Sequence, residues 1–118
     1  MTTQARQIGQ QAEDQALAYL QAQGLRLYER NFQIRRGEID LIMREGDEVA
    51  FIEVRARGHS PFGDGIDSVT RSKQRRLIAA ASAWLQRRRE QPPTRFDVVA
   101  VAPGDKIVWI KDAFRPDD

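Results

Sequence analysis

The chain has 118 residues, 41% hydrophobic and 31% charged, with a formal net charge of +2, which suits one domain spanning residues 1–118 around a single core. It has no cysteine and one histidine, His59, which excludes disulfides, thiolate catalysis, cysteine-based zinc sites and multi-histidine sites and leaves chemistry to carboxylates, lysine, arginine or backbone. No run of about eighteen apolar residues offers a membrane span, and "MTTQARQIGQQAEDQ" lacks the basic-then-apolar pattern of a secretory signal, so the expectation is a cytoplasmic protein with no membrane partner.

From about Thr3 to Gln23, Ile8, Ala12, Ala16, Tyr19 and Leu20 recur at three- and four-residue spacing and Gly24 supplies a stop, which predicts an amphipathic helix. Strands are expected at Leu25 to Phe32, closed by "RRG", at Glu38 to Arg44, ended by the hairpin turn "EGDE", and at Glu48 to Ala56. "RGHSPFGDGID" has the composition of a loop. A second helix is expected from about Ser68 to Glu90, with Val69, Leu77, Ala80, Ala81, Trp84 and Leu85 as its apolar stripe. "QPPT" stops it, and "RFDVVAVA" and "KIVWIK" form two last strands around "PGDK". Helix, three strands, helix, two strands predicts a mixed α/β fold, a central mixed sheet flanked by helices.

The stretch "GEIDLIMREGDEVAFIEVRAR" sets charges among apolar strand residues. Alternation places Val49, Phe51, Glu53 and Arg55 on one face of the third strand, and Glu38, Asp40 and Ile42 on one face of the second, opposite Ile39, Leu41 and Met43. If the hairpin brings the acidic faces together, Asp40 and Glu53 converge with Arg55 beside them. Two crowded, partly buried carboxylates raise a pKa unless a cation intervenes, and oxygen ligands suit Mg²⁺ or Mn²⁺. Cross-strand ion pairs on a solvated face, Glu53 with Arg55 or Glu38 with Arg36, are the competing reading.

An acidic residue followed by Glu-x-Lys on the next strand is the pattern of the PD-(D/E)XK nuclease superfamily, here "EID" at Glu38 to Asp40 and "EVR" at Glu53 to Arg55. The fuller set "GEIDLIMREG", "FIEVRAR", "FGDGIDSVTRSKQRRL", "RFDVVAV" and "WIKDAF", between Gly9 and Phe114, resembles the small bacterial YraN-like family of predicted endonucleases, distantly similar to archaeal Holliday junction resolvases. The resemblance implies a restriction-endonuclease-like core and Mg²⁺- or Mn²⁺-dependent hydrolysis of phosphodiester bonds in DNA, with branched or structured DNA as a candidate substrate. A four-way junction has near two-fold symmetry, so a homodimer is the matching assembly.

Carried over residue by residue, the resemblance makes Asp40 and Glu53 the metal-binding acids and the backbone carbonyl of Val54 a third ligand. Glu38 assists or is structural. Glu13 corresponds to an acidic position on the first helix that can face the site, with a solvated helix flank as the alternative. Lys73 corresponds to a position pointing at the scissile phosphate, against the alternative of a solvated face. Asp97 is expected to pair with Arg95 or a neighbouring strand and to serve structure. Arg55 departs from the superfamily's lysine: arginine stays protonated and cannot act as a base, yet it can hold a phosphate oxygen through two donors.

Arg35, Arg36, Arg57, Arg71, Lys73, Arg75 and Arg76 are candidate nucleic-acid contacts bordering one cleft. Arg87, Arg88 and Arg89 read as a solvated helix end that complements the helix dipole, and His59 as incidental. Three functions remain open: a metal-dependent nuclease, a nucleic-acid-binding module whose chemistry has decayed, and a protein adaptor using exposed aromatics such as Phe62, Trp109 and Phe114.

Overall fold

The computed structural model describes residues 4–56, 69–104 and 106–116. Its elements are α1 (Gln4–Ala22), β1 (Arg26–Ile34), β2 (Gly37–Glu45), β3 (Glu48–Ala56), α2 (Arg71–Gln86), β4 (Thr94–Ala102) and β5 (Lys106–Phe114), the order and mixed α/β class expected from the sequence. Arg57, His59, Phe62 and Ser68 lie outside the described residues.

The five strands form one sheet in the order β1-β2-β3-β4-β5. Only β3 and β4 are parallel, and the crossover such a pair requires contains α2. Alternation gives the sheet two apolar faces. On one, Ala12, Ala16 and Leu20 of α1 pack with Leu41, Met43, Ala50, Ile52, Val99 and Val101. On the other, Leu77, Ala80, Ala81 and Trp84 of α2 pack with Ile42, Val49, Phe51, Phe96 and Phe114.

The boundaries depart from the sequence reading where caps and projecting ends decide them. Ile8 is 42% exposed because every residue from Arg6 to Gln11 stands clear of the sheet and burial begins only at Ala12. Thr70 caps α2, its hydroxyl accepting from the Lys73 N–H at 3.2 Å, so Val69 precedes the helix. The helix ends at Gln86, with Arg87 as its cap. Arg87 and Arg88 therefore do not occupy a last turn; their guanidinium groups sit over Phe32 at 5.2 Å, and over Tyr28 and Trp84 at 4.8 and 4.5 Å, covering the aromatic end of the core.

One glycine fixes how α2 docks. Gly37 is buried, and a Cβ there would run into the backbone carbonyl of Arg76. Only a residue without a side chain lets the helix come down on the start of β2, which brings Lys73 and Arg76 over that end of the sheet.

Candidate active site

β2 and β3 pair from Glu45↔Glu48 up to Leu41↔Ile52, and there the ladder stops. Beyond it, β2 pairs only with β1, through Phe32↔Ile39, Gln33↔Glu38 and Ile34↔Gly37. β3 pairs only with β4, from Glu53↔Val98 to Ala56↔Val101. Asp40 and Glu53 are the first residues past the fork. The register would set the two directly opposite each other on a continuous ladder; here the strands part, and Asp40 spans the opening by accepting the Val54 N–H at 2.8 Å.

Strict alternation fails at this point. Leu41 lies with the α1-side core, whereas Ile39, expected on the same face, packs with Ile42 on the α2 side. The strand beside it does the same: Arg30, paired with Leu41, reaches α1, while Phe32, paired with Ile39, joins the α2 side. Between them stands Asn31 with a φ of 53°. The two strands kink together, so Asp40 sits between the layers and feels carboxylates from both: Glu53 and Glu38, and Glu13 from α1.

The electrostatics follow from that crowding. Burial first, then the negative charge of Glu53, raises the Asp40 carboxyl to about 7, against the relief from the Val54 N–H. Burial likewise raises Glu53, while Arg55 and Lys73 pull it down. Arg55 lies 3.6 Å from the Glu53 carboxylate, with both side chains mostly covered. Glu38, Glu53, Arg55, Lys73, Arg76 and Leu77 line one cavity of about 140 Å³, and Glu38 is held by the Gln33 amide at 2.9 Å.

Glu13 is not on a solvated flank. It is 8% exposed and its Oε1 accepts from Arg30 Nε at 3.0 Å and Asn31 Nδ2 at 3.1 Å. Lys73 and Arg76 border the acidic cavity, but Arg71 and Arg75 do not. They lie on the opposite flank of α2 and line a separate cavity with Gln74, Ile78, Arg115 and Pro116, because residues one or two apart on a helix point in different directions. Arg35 and Arg36 are exposed in the β1–β2 turn. Among the described residues the α2 cations thus form two groups rather than one rim. Phe114 is buried and stacked on Phe96 at 4.9 Å, and Trp109 is half-buried, so neither is an exposed aromatic for a partner.

Among the described residues no three acidic or histidine side chains are grouped closely enough to hold a metal ion. The donors able to do so in part are the Asp40 and Glu53 carboxylates, with Glu13 and Glu38 within electrostatic reach. All are oxygen donors, the type a hard divalent cation takes, and burial makes Asp40 and Glu53 hold their protons more tightly than usual. A larger cavity of about 540 Å³ lies at the hairpin end of the sheet beside Arg95, Phe96 and Phe114, but the Arg95 and Lys111 charges on its wall are paired with Glu45 and Glu48. Sequence reasoning missed Arg30, Asn31, Gln33 and Gly37. The first two carried a signal, since an Arg-Asn pair inside a strand pattern puts a residue that tolerates positive φ where strands seldom place one.

Fold and site together define a mixed α/β protein whose sheet divides to present a carboxylate pair beneath a basic helix. The model of the uncharacterised protein family UPF0102 matches residues 12–101. A UPF0102 protein of Nitrosococcus oceani is 53% identical over 115 residues, covering 93% of each chain. One of Halorhodospira halophila is 53% identical over 110 residues, 93% of this chain and 88% of its own. A third, of Pseudomonas putida, is 48% identical over 113 residues, 91% and 92% of the two chains. The chain belongs to the UPF0102 family. Among the described residues no helix is long and apolar enough to cross a membrane.

Proposed function

We propose that the protein is a cytoplasmic, Mg²⁺- or Mn²⁺-dependent endonuclease of the PD-(D/E)XK type that hydrolyses phosphodiester bonds of DNA, branched or structured forms included, in the manner of Holliday junction resolvases. The observation that carries this is the strand fork: Asp40 and Glu53 lie in the opening with raised proton affinity, and Glu53 shares a cavity with Arg55, Lys73 and Arg76. Asp40, Glu53 and the Val54 backbone would hold the cation. When bound, it lowers the pKa of water and polarises a phosphoryl oxygen.

The remaining roles belong to the chain. Asp40 must lose its proton before it can serve as a ligand, so cation uptake strengthens as the pH passes about 7. Arg55 and Lys73 supply fixed positive charge where a phosphate gains negative charge, and the Arg55 guanidinium can take two oxygens at once. Arg55 is no base, so no proton is removed from water by this residue. Arg76 adds a further phosphate donor from α2. Arg71 and Arg75, on the other flank, contact backbone away from the cut, a contact that positions without reading sequence. A substrate with near two-fold symmetry would call for two copies of the chain.

A second reading, a nucleic-acid-binding module with weak or no chemistry, draws on one contact. Arg55 lies 3.6 Å from Glu53 and so competes with a cation for that carboxylate. Cleavage assays with Mg²⁺ and then Mn²⁺ on linear, single-stranded, flapped and four-way-junction DNA, with Glu53→Ala purified identically, separate the two. The nuclease reading expects metal-dependent cuts that vanish in the variant. Binding that survives Asp40→Asn and Glu53→Gln, without cleavage by the wild type, selects the second.

A further inference from the structure

The last strand carries a bulge that the carboxylate cleft does not use. Phe96 pairs with Phe114 and Val98 with Ile110, so Lys111, Asp112 and Ala113 stand opposite Asp97 alone. Asp112 adopts a φ of 53° there, in the left-handed region that aspartate tolerates better than most residues, and its N–H donates to the buried Asp97 carboxylate at 3.0 Å. Its own carboxylate accepts from Arg115, at 2.8 Å from Nη2 and 3.3 Å from Nε. A chain of contacts that begins in the core therefore fixes the Arg115 guanidinium.

That guanidinium lies against α2. Arg115 and Pro116 line a cavity of about 200 Å³ with Arg71, Gln74, Arg75 and Ile78. Arg71 and Arg75 are a helical turn apart on one flank, and neither has an ion-pair partner among the described residues. No carboxylate among the described residues lines this cavity, whereas Glu38 and Glu53 line the cleft on the other flank and Glu45 and Glu48 the cavity at the hairpin end. Even with Asp112 set against Arg115, the charges of Arg71 and Arg75 are left unanswered. Guanidinium groups brought together from two elements suit an anion with several acceptor oxygens.

We infer that Arg71, Arg75 and Arg115 form one seat for a backbone phosphate of the nucleic acid, on the flank of α2 away from Asp40 and Glu53. This rests on the nucleic-acid reading above and needs no bound metal. A helix with its side chains is about 10–12 Å across, so roughly that width separates the seat from the cleft. A strand with a phosphate about every 3.4 Å of duplex axis spans it within a few nucleotides, as a free phosphate does not. The seat holds the strand at a fixed offset from the cleft.

The test is the salt dependence of binding to a fluorescent duplex oligonucleotide, read by anisotropy in chelator. Arg115→Gln is expected to lower the slope of log affinity against log salt by about one and, its side chain being exposed, to melt within about 3 °C of the wild type. Arg75→Gln is expected to do the same, and the double variant to lower the slope by about one in all, because a single phosphate is lost. Arg26→Gln, at an exposed position outside both α2 cavities, is expected to leave the slope unchanged. A wild-type slope in Arg115→Gln, a fall of about two in the double variant, or an equal fall in Arg26→Gln overturns the seat while leaving the nucleic-acid reading intact. A wild type with no salt-dependent binding to the duplex overturns both.

Discussion

Asp97 and Asp40 are both aspartates set into strands of the same sheet, and they are held in opposite ways. Asp97 is fully buried and fully answered: Arg95 Nε donates to both its oxygens at 3.0 and 3.1 Å, Trp109 Nε1 at 3.0 Å and the Asp112 N–H at 3.0 Å. Burial works against the charge of Arg95, yet Asp97, Glu48 and Glu45 hold its proton more tightly than usual; only its Nη2 finds no partner among the described residues. Among the described residues Asp40 has one hydrogen bond, from Val54, and the carboxylates of Glu53, Glu13 and Glu38 within electrostatic reach. A buried acid that is satisfied serves the fold, and one crowded by its own kind stores an electrostatic cost that a ligand can remove.

The largest expected effect lies on the satisfied side. Asp97→Ala leaves Arg95 buried without its main partner and should cost about 3–5 kcal/mol in urea denaturation; a loss below about 1 kcal/mol would mean that Glu45 and Glu48 suffice. Gly37→Ala comes next. Its methyl meets the Arg76 carbonyl, so α2 must shift, at about 1–3 kcal/mol, and the spacing of Lys73 and Arg76 over Glu53 is lost with it.

Asp40→Asn should have the opposite sign. The folded carboxyl titrates at about 7 against an ordinary 3.8, so ionising it costs more in the native state than in the unfolded one. The favourable contribution is complete below about pH 4 and is lost as the pH rises through about 7. Metal-free Asp40→Asn should therefore melt above the wild type at pH 8, by about 5 °C, and match it near pH 4. A variant less stable at pH 8 would show that the Val54 hydrogen bond outweighs the crowding. The smallest effects are those of Lys73→Ala and Arg71→Ala, each within about 0.5 kcal/mol in stability. Each should lower the salt slope of DNA binding by about one, whereas only Lys73→Ala should also slow cleavage, because only Lys73 borders the acidic cavity.

Alternation and helical spacing were enough to read the elements, the faces of β3 and the convergence of Asp40 with Glu53, because each depends on residues close in sequence. Ile39 went to the other face because the kink at Asn31 and Asp40 is a property of two strands together. Arg71 and Arg75 left the cleft because helix spacing says which residues are neighbours and not which flank meets the sheet. The burial of Glu13 depended on Arg30 and Asn31, 17 and 18 residues away. The Asp97 pairing with Arg95 was legible, two residues apart on one strand face.

The central claim is that the Asp40–Glu53 pair is held in tension for a divalent cation. Its most direct test is the melting temperature of the wild type, Asp40→Asn and Glu53→Gln at pH 8, in chelator and in saturating Mg²⁺. The account predicts that Mg²⁺ raises the wild type by several degrees, as binding at about a hundred times its dissociation constant contributes about 2.7 kcal/mol, and leaves both variants unmoved. Equal shifts in all three proteins, or none in the wild type, would contradict it.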